Sequence, residues 1–165
     1  MTSSLAGTDG ASPGSVISMR PFDESLPMAL LRARETAMQL FRPLLAEHDL
    51  TEQQWRVLRA LSAATEPVDA SALAGGTFLL APSLSRILAN LEHRGLVVRS
   101  TAPDDQRRSL IALTDDGRQL VALVAPDSER TYQRIEQAFG RRRLQRLLAE
   151  LHDLARLDVD VVGRS

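Results

Sequence analysis

Residues 68–114 read VDASALAGGTFLLAPSLSRILANLEHRGLVVRSTAPDDQRRSLIALT, and they contain the clearest helix and strand signals in the chain. Pro82 can occupy the first turn of a helix without losing a hydrogen bond, and Gly95 stands where a helix would end, so a helix is predicted over residues 81–94. Its apolar residues recur every three or four positions, as on the buried face of an amphipathic helix: Leu84, Ile87, Leu88 and Leu91.

The outer face of this helix suits the major groove of DNA. Short side chains allow close approach, and Ser, Asn and Arg bond to base edges and phosphates. The candidate contacts are Ser83, Ser85, Arg86 and Asn90. Because Arg and Ser are also common on solvated helix faces, the helix by itself leaves both interpretations open.

A predicted β-hairpin follows the helix. The apolar run LVVRST at 96–101 leads into the polar turn APDDQRR at 102–108, and SLIALT at 109–114 forms the second strand. From 77 to 114 five arginines stand against three acids, although the whole chain has a net charge of −1. A basic hairpin beside such a helix is typical of a wing that reaches DNA backbone or the minor groove, and we predict that Arg107 and Arg108 enter that groove.

The segment resembles the DNA-binding lobe of the MarR family of bacterial transcriptional regulators. The resemblance rests on D-x-R-x-x-L-x-x-L-T, which begins at Asp105 and ends at Thr114, on Gly117 after it, and on E-x-R-G-L over 92–96. It implies a winged helix-turn-helix in which Asp105 braces the wing arginine and Arg107 enters the minor groove.

Two shorter helices are predicted ahead of residue 81. Thr51 and Gln54 have the spacing of a capping box, which begins the first of them. Asp69 is the predicted cap of the second, and Gly75 with Gly76 is expected to end it.

Long helices are predicted on both sides of this lobe. One runs from Ser25 to about Glu47, and another begins at the cap Thr114 and is expected to be interrupted by Pro126, with a kink near Ala125. The last helix begins at 141 and carries a leucine stripe, which a second copy of the chain would cover. Packing of this helix within its own chain is the alternative, whereas the family resemblance also implies a dimer built from the end helices.

The predicted architecture is therefore mainly α with a small β-hairpin wing: a winged helix-turn-helix with N- and C-terminal dimerisation helices. A disordered tail occupies 1–18, the helical dimerisation region 19–48 and 115–160, and the DNA-binding lobe 49–114.

Arg34 interrupts the apolar stripe of the first long helix. It projects close to Leu30, Ala37 and Phe41, on the side expected to be buried. An arginine among apolar residues is costly unless an anion or an acceptor meets it, so Arg34 is a candidate ligand contact. Snorkelling, or pairing with an acid such as Glu35, is the structural alternative.

Residues 25–61 resemble one subgroup of the family, the regulators of homoprotocatechuate (4-hydroxyphenylacetate) degradation operons. The resemblance implies repression of an aromatic catabolic operon until a phenolic acid binds, with Arg34 on the ligand carboxylate and Arg42 as a weaker candidate. Trp55 and His48 are further candidate ligand contacts. A core position for Trp55 and a helix end for His48 are the alternatives.

Composition excludes other classes of protein. The chain has no cysteine, which rules out disulfides and thiolate chemistry, and its histidines lack metal-ligand spacing. Ser83 and Ser85 lack the partners of a catalytic triad. We expect no metal, no cofactor and no catalytic residue. With neither a secretory signal nor an apolar run long enough for a bilayer, a cytoplasmic protein without a membrane partner is predicted.

We therefore predict a homodimeric, ligand-responsive regulator, a repressor that binds a pseudo-palindromic DNA operator and a small phenolic or aromatic carboxylic acid. One alternative is an architectural winged-helix DNA-binding protein without a small-molecule response, and another is a winged helix used for protein contact.

Overall fold

The computed structural model describes residues 19–103 and 105–157. The predicted disordered tail at 1–18, Asp104 of the wing turn and residues 158–165 lie outside the described residues. The chain forms two compact units, and the division between them falls in the sequence between Glu35 and Thr36.

The described residues are mainly helical, with one small antiparallel sheet, as predicted. In chain order the elements are a 3-10 turn (Phe22–Glu24), α1 (Leu26–Glu47), α2 (Glu52–Ser62), β1 (Val68–Asp69), α3 (Ala70–Thr77), α4 (Ala81–His93), β2 (Val97–Thr101), β3 (Ser109–Leu113), α5 (Asp115–Phe139) and α6 (Arg141–Ala155).

Side-chain caps confirm the predicted helix starts. The Thr51 hydroxyl accepts from the Gln54 N–H at 3.2 Å, and the Gln54 side chain accepts from the Thr51 N–H at 2.8 Å, which completes the capping box of α2. The Asp69 carboxylate caps α3, and the Thr114 hydroxyl caps α5 by accepting from the Gly117 N–H at 3.0 Å.

The predicted end of α3 is wrong. Gly75 and Gly76 lie inside the helix, which continues to Thr77, and Phe78 takes the left-handed conformation at its C-terminal cap with φ 52° and ψ 40°. A glycine inside a helix costs only about 1 kcal/mol relative to alanine, and burial of Leu73 and Thr77 on either side offsets that cost.

Pro126 does not end α5, because the helix runs from Asp115 to Phe139 with this proline inside it, and the kink near Ala125 stays a prediction. Proline removes one backbone donor from a helix. Here the buried residues Val124 and Ser128 flank Pro126, so packing holds both sides of the helix together despite that loss.

The sheet has a strand that the sequence did not indicate. β3 lies between β1 and β2 and is antiparallel to both, with Val68 opposite Ile111 and Val97 opposite Leu113. β1 contains only Val68 and Asp69, which is too short for a strand pattern to show in the sequence.

The core of the second unit brings together the C-terminal half of α1, α2, α4, the sheet and α5. Its most completely buried apolar side chains are Leu45, Val57, Leu58, Leu88, Leu91, Ile111 and Val124. The stripe predicted for α4 is buried throughout, whereas Leu26 and Leu30 of the α1 stripe are exposed.

In the part of the chain that the structure describes, no single helix is both long and apolar enough to cross a membrane, although Ala70–Thr77 and Ala81–His93, bent by 109°, meet that test as a pair.

Candidate nucleic-acid interface and ligand cavity

The outward face of α4 presents the predicted polar residues. Ser85, Arg86 and Asn90 are exposed and Ser83 is half-buried. The Asn90 side-chain oxygen accepts from Gln54 Nε2 at 2.6 Å, so this residue is anchored to α2, and its NH2 group is free to donate to another acceptor. Arg86 forms no ion pair with any residue that the structure describes, which leaves its charge directed to solvent.

The C-terminal end of α4 is held against the start of α5. The Leu96 carbonyl accepts from the Thr114 N–H at 3.1 Å, and the Gly95 carbonyl accepts from the Thr114 hydroxyl at 2.6 Å. A Cβ at Gly117 would lie 2.0 Å from the Leu96 carbonyl oxygen. The spacing between E-x-R-G-L and T-x-x-G therefore reflects one close backbone contact.

Arg94 fixes the same end of α4 to the connection between α1 and α2. Its guanidinium donates to the Asp49 carbonyl at 2.8 Å and to the His48 carbonyl at 3.3 Å. Asp49 adopts a left-handed backbone with φ 51°, which turns both carbonyls toward one donor group. His48 is half-buried, and its described polar contact is made through its backbone.

The wing turn is ordered around Asp105. Its carboxylate accepts from the Arg107 backbone N–H at 2.9 Å, and its carbonyl accepts from the Arg108 N–H at 3.0 Å. The brace that the resemblance implied for Asp105 thus acts on the backbone of the wing arginine. The exposed Arg107 guanidinium has no ion-pair partner within 19–103 and 105–157.

The other wing arginines bind acids of the lobe. Arg108 Nε donates to Asp69 Oδ2 at 3.0 Å, and Arg99 pairs with Glu92 at 3.2 Å. The Ser71 hydroxyl and then the Arg108 guanidinium hold the pKa of Asp69 well below its ordinary value. Arg108, expected beside Arg107 in the minor groove, therefore ties the wing to the cap of α3.

A cavity of about 350 Å³ lies between α1, α2 and α5. It is lined by Met38, Phe41, Glu52, Trp55, Arg56, Arg59, Ala60 and Tyr132. The rings of Phe41 and Tyr132 are 4.8 Å apart, and the buried Trp55 serves both the core and the cavity wall. Such a volume with aromatic walls fits a single-ring ligand.

Arg59 supplies the cavity with a cation. Its Nη1 donates to the Tyr132 hydroxyl at 2.9 Å, and its Cζ is 5.9 Å from the centre of that ring. Neither Arg59 nor Tyr132 stands out as a candidate ligand contact in the sequence alone. The available signal was the i,i+4 spacing of Trp55 and Arg59, which places both on one side of α2.

Helix α2, which lines the cavity, is hydrogen-bonded to both helices of the helix-turn-helix. Arg56 Nη1 donates to the Thr77 carbonyl at the end of α3 at 3.0 Å, while Gln54 holds Asn90 of α4. At the start of α2, two residues before Gln54, Glu52 accepts from Arg42 Nε of α1 at 2.7 Å. A single helix therefore lines the cavity and contacts both helices of the motif.

Arg34 is exposed within the single chain. The neighbouring stripe residues Leu26 and Leu30 are 46% and 38% exposed, so burial of this part of α1 by a second copy stays a prediction. Arg34 takes part in an interaction within the chain. Neither Arg34 nor His48 belongs to the lining of the aromatic cavity.

Comparison with known proteins identifies relatives for most of the chain. The family model described as the MarR family matches residues 48–108. The homoprotocatechuate degradative operon repressor of Escherichia coli is 41% identical over 134 residues, which are 81% of this chain and 90% of that protein.

Solved structures agree with this match. NadR in complex with 4-hydroxyphenylacetate is 37% identical, with a TM-score of 0.73 over 79% of this chain and 95% of that one. The transcriptional repressor CouR, bound to a 23-mer DNA duplex, is 31% identical, with a TM-score of 0.74 over 84% of this chain and 99% of that one. These relatives are transcriptional regulators and not enzymes.

Proposed function

The chain belongs to the MarR family of transcriptional regulators, and we propose that it is a homodimeric repressor that leaves its operator when a small aromatic carboxylic acid binds. The observation that carries the ligand response is the aromatic cavity with Arg59 on Tyr132.

The DNA contacts follow from which polar groups remain available. Ser83, Ser85 and Arg86 of α4 face the major groove in this proposal, with Asn90 contributing through its amide nitrogen. Arg107 enters the minor groove. Arg108 instead positions the wing through Asp69, because its guanidinium is already bonded inside the lobe.

The homodimer is supported by α6. No described residue of this helix is buried, and Leu147 and Leu148 are 40% and 45% exposed. Phe139 at the end of α5 is exposed as well. A leucine stripe left open in this way is typical of a subunit interface, and a twofold dimer reads half-sites about 34 Å apart.

The class of ligand follows from the chemistry of the cavity. Phe41, Trp55 and Tyr132 offer aromatic walls, and the Arg59 fork binds a carboxylate with two hydrogen bonds. Phenolic acids combine a ring with such a carboxylate, and NadR in its solved complex holds 4-hydroxyphenylacetate. Arg34 remains a second proposed carboxylate contact, on the strength of the family resemblance.

The response passes through α2. A ligand between α1, α2 and α5 displaces Trp55 and Arg59, and the same helix holds α3 through Arg56 and α4 through Gln54. Because these are short, specific hydrogen bonds, a shift of α2 changes the placement of α4 relative to its dimer mate. The operator then fits less well.

Calorimetric titration of 4-hydroxyphenylacetate tests the cavity. Arg59→Ala removes a charge-assisted contact of roughly 1.5–3 kcal/mol, so ligand affinity falls about ten- to a hundredfold while the operator affinity stays. Arg59→Lys recovers part of the affinity, because the charge returns without the fork. Arg99→Ala is the matched control and binds the acid as the wild type does.

The same titration with 4-hydroxyphenylacetate is carried out on Arg34→Ala. The resemblance predicts a loss of ligand affinity of the same order, with partial recovery in Arg34→Lys. Wild-type affinity in a folded Arg59→Ala protein rejects the proposed cavity. If only Arg34→Ala loses affinity, the carboxylate binds elsewhere. An architectural protein would hold DNA equally well with and without the acid.

A further inference from the structure

Two exposed apolar residues, Phe78 and Leu80, lie in the connection before α4, and each has an unfavourable backbone or capping position. Phe78 is 92% exposed and has φ 52°, a left-handed conformation that favours glycine. Leu80 is 78% exposed and occupies the N-cap of α4 without a side-chain cap bond. Gly75 and Gly76 stand only a few residues earlier, where the backbone is helical.

At each of these two positions another type of residue would be more stable. A bulky residue with positive φ is strained, and a leucine N-cap is less favourable than Ser, Thr, Asp or Asn. Full exposure of a phenylalanine ring adds no burial to offset either cost. Side chains that break local rules in this way tend to mark functional positions, because another contact compensates for them.

The position of the pair indicates what that contact is. Leu80 directly precedes Ala81, the first residue of α4, and Phe78 lies two residues before Leu80. Ser83, Ser85 and Arg86 follow within the first turns of the helix. The proposed function places this end of α4 in the major groove. Phe78 and Leu80, here named the apolar lip, therefore continue the proposed DNA interface beyond the helix.

We propose that the apolar lip reads thymine by packing on its 5-methyl group at one edge of each half-site. This inference rests on the proposed function. The methyl group is the apolar feature that distinguishes thymine in the major groove, and phenylalanine is among the side chains that contact it. The lip thus adds base discrimination that the polar residues of α4 do not provide.

The experiment combines a protein substitution with removal of single methyl groups from the DNA. A duplex selected from random sequence by the wild-type protein is prepared with deoxyuridine in place of each thymine in turn. Affinities are measured by fluorescence anisotropy for wild type, Phe78→Ala and Phe78→Gly. The glycine variant also relieves the left-handed strain, so it should unfold at a higher temperature than wild type.

The proposal predicts coupling between the two changes. Deoxyuridine at one thymine per half-site weakens wild-type binding about three- to fivefold, the value of one buried methyl group. Phe78→Ala and Phe78→Gly bind the thymine duplex about five- to tenfold more weakly and no longer distinguish deoxyuridine at that position. Val98→Ala, which shortens another exposed apolar side chain, keeps the wild-type discrimination.

Other outcomes reject the inference. Equal affinity of Phe78→Ala and wild type, or an unchanged deoxyuridine penalty in the variants, removes the lip from DNA recognition. A loss of dimerisation in sedimentation, with DNA affinity following it, assigns the lip to a protein contact instead. Failure of the wild type to select any duplex rejects the proposed function itself, and the two failures are thereby distinguished.

Discussion

Helices α4 and α6 both carry an apolar stripe with helical spacing, but only the stripe of α4 is buried. All four stripe residues of α4 are buried, whereas no described residue of α6 is buried. Apolar periodicity shows which face of a helix must be covered, and it does not show what covers it. The apolar face of α4 is buried by other residues of its own chain. We propose that the apolar face of α6 is buried by a second copy of the chain.

The largest expected effect concerns the contact that fixes α4 within its own chain. Gly117→Ala places a methyl group 2.0 Å from the Leu96 carbonyl oxygen, so the backbone must move and the free energy of unfolding falls by about 3 kcal/mol. Urea denaturation measures this loss. Gly75→Ala is the control, because a Cβ there meets nothing within 4 Å among the described residues and helix propensity rises.

A stability change below about 1 kcal/mol in Gly117→Ala would show that the junction of α4 and α5 adapts. The packing of α4 against its own chain would then not depend on the close contact between Gly117 and Leu96.

The next effect concerns α6. Leu148→Asp puts a charge into the stripe that a second copy is proposed to cover, and the dimer dissociation constant rises about a hundredfold, or roughly 2–3 kcal/mol. Ala149→Asp adds the same charge on the opposite face and leaves the constant near wild type. Sedimentation equilibrium measures both. A Leu148→Asp protein that dimerises as wild type would place the interface elsewhere.

A smaller effect separates the two wing arginines. Arg107→Ala weakens operator binding severalfold and reduces the salt slope by about 1, since a cation in the minor groove is lost. Arg108→Ala changes DNA binding less and lowers stability by at most about 1 kcal/mol, because its ion pair with Asp69 is half exposed. An equal loss of DNA affinity in both variants would show that Arg108 also contacts DNA.

The smallest effect is on pH dependence. Because the folded pKa of Asp69 lies below its unfolded value, the stability it contributes is present above the ordinary carboxyl pKa of about 4 and is lost as the pH falls toward the folded value. Asp69→Asn keeps a capping side chain and removes the charge. Its thermal midpoint should fall less between pH 7 and pH 3 than that of wild type, and an equal fall would assign the acid sensitivity to other carboxylates.

Local chemistry could be predicted from the sequence, and long-range pairing could not. The Thr51 capping box and the α4 stripe depend on residues three or four apart, so their spacing is visible in the chain. The Arg108–Asp69 pair joins residues 39 positions apart, and nothing in the spacing indicates it. The same holds for β1, which pairs with β3 across more than forty residues.

The candidate ligand site shows the same division. Trp55 is a candidate from the sequence because it lies beside the connection between the first and second helices, whereas Arg59 becomes a candidate only because the fold places Tyr132 of α5 beside it. Arg34 was selected for its helical phase, and phase shows the direction of a side chain without showing whether that direction is covered.

Ligand and operator are proposed to compete through one conformational change of the dimer, and thermodynamic linkage between the two binding equilibria tests this competition directly. Calorimetry with 4-hydroxyphenylacetate is carried out on the free dimer and on the dimer saturated with its selected duplex. We expect DNA to weaken ligand binding at least about tenfold, and the ligand to weaken DNA binding by the same factor. Equal ligand affinity in the free and DNA-bound states would contradict it.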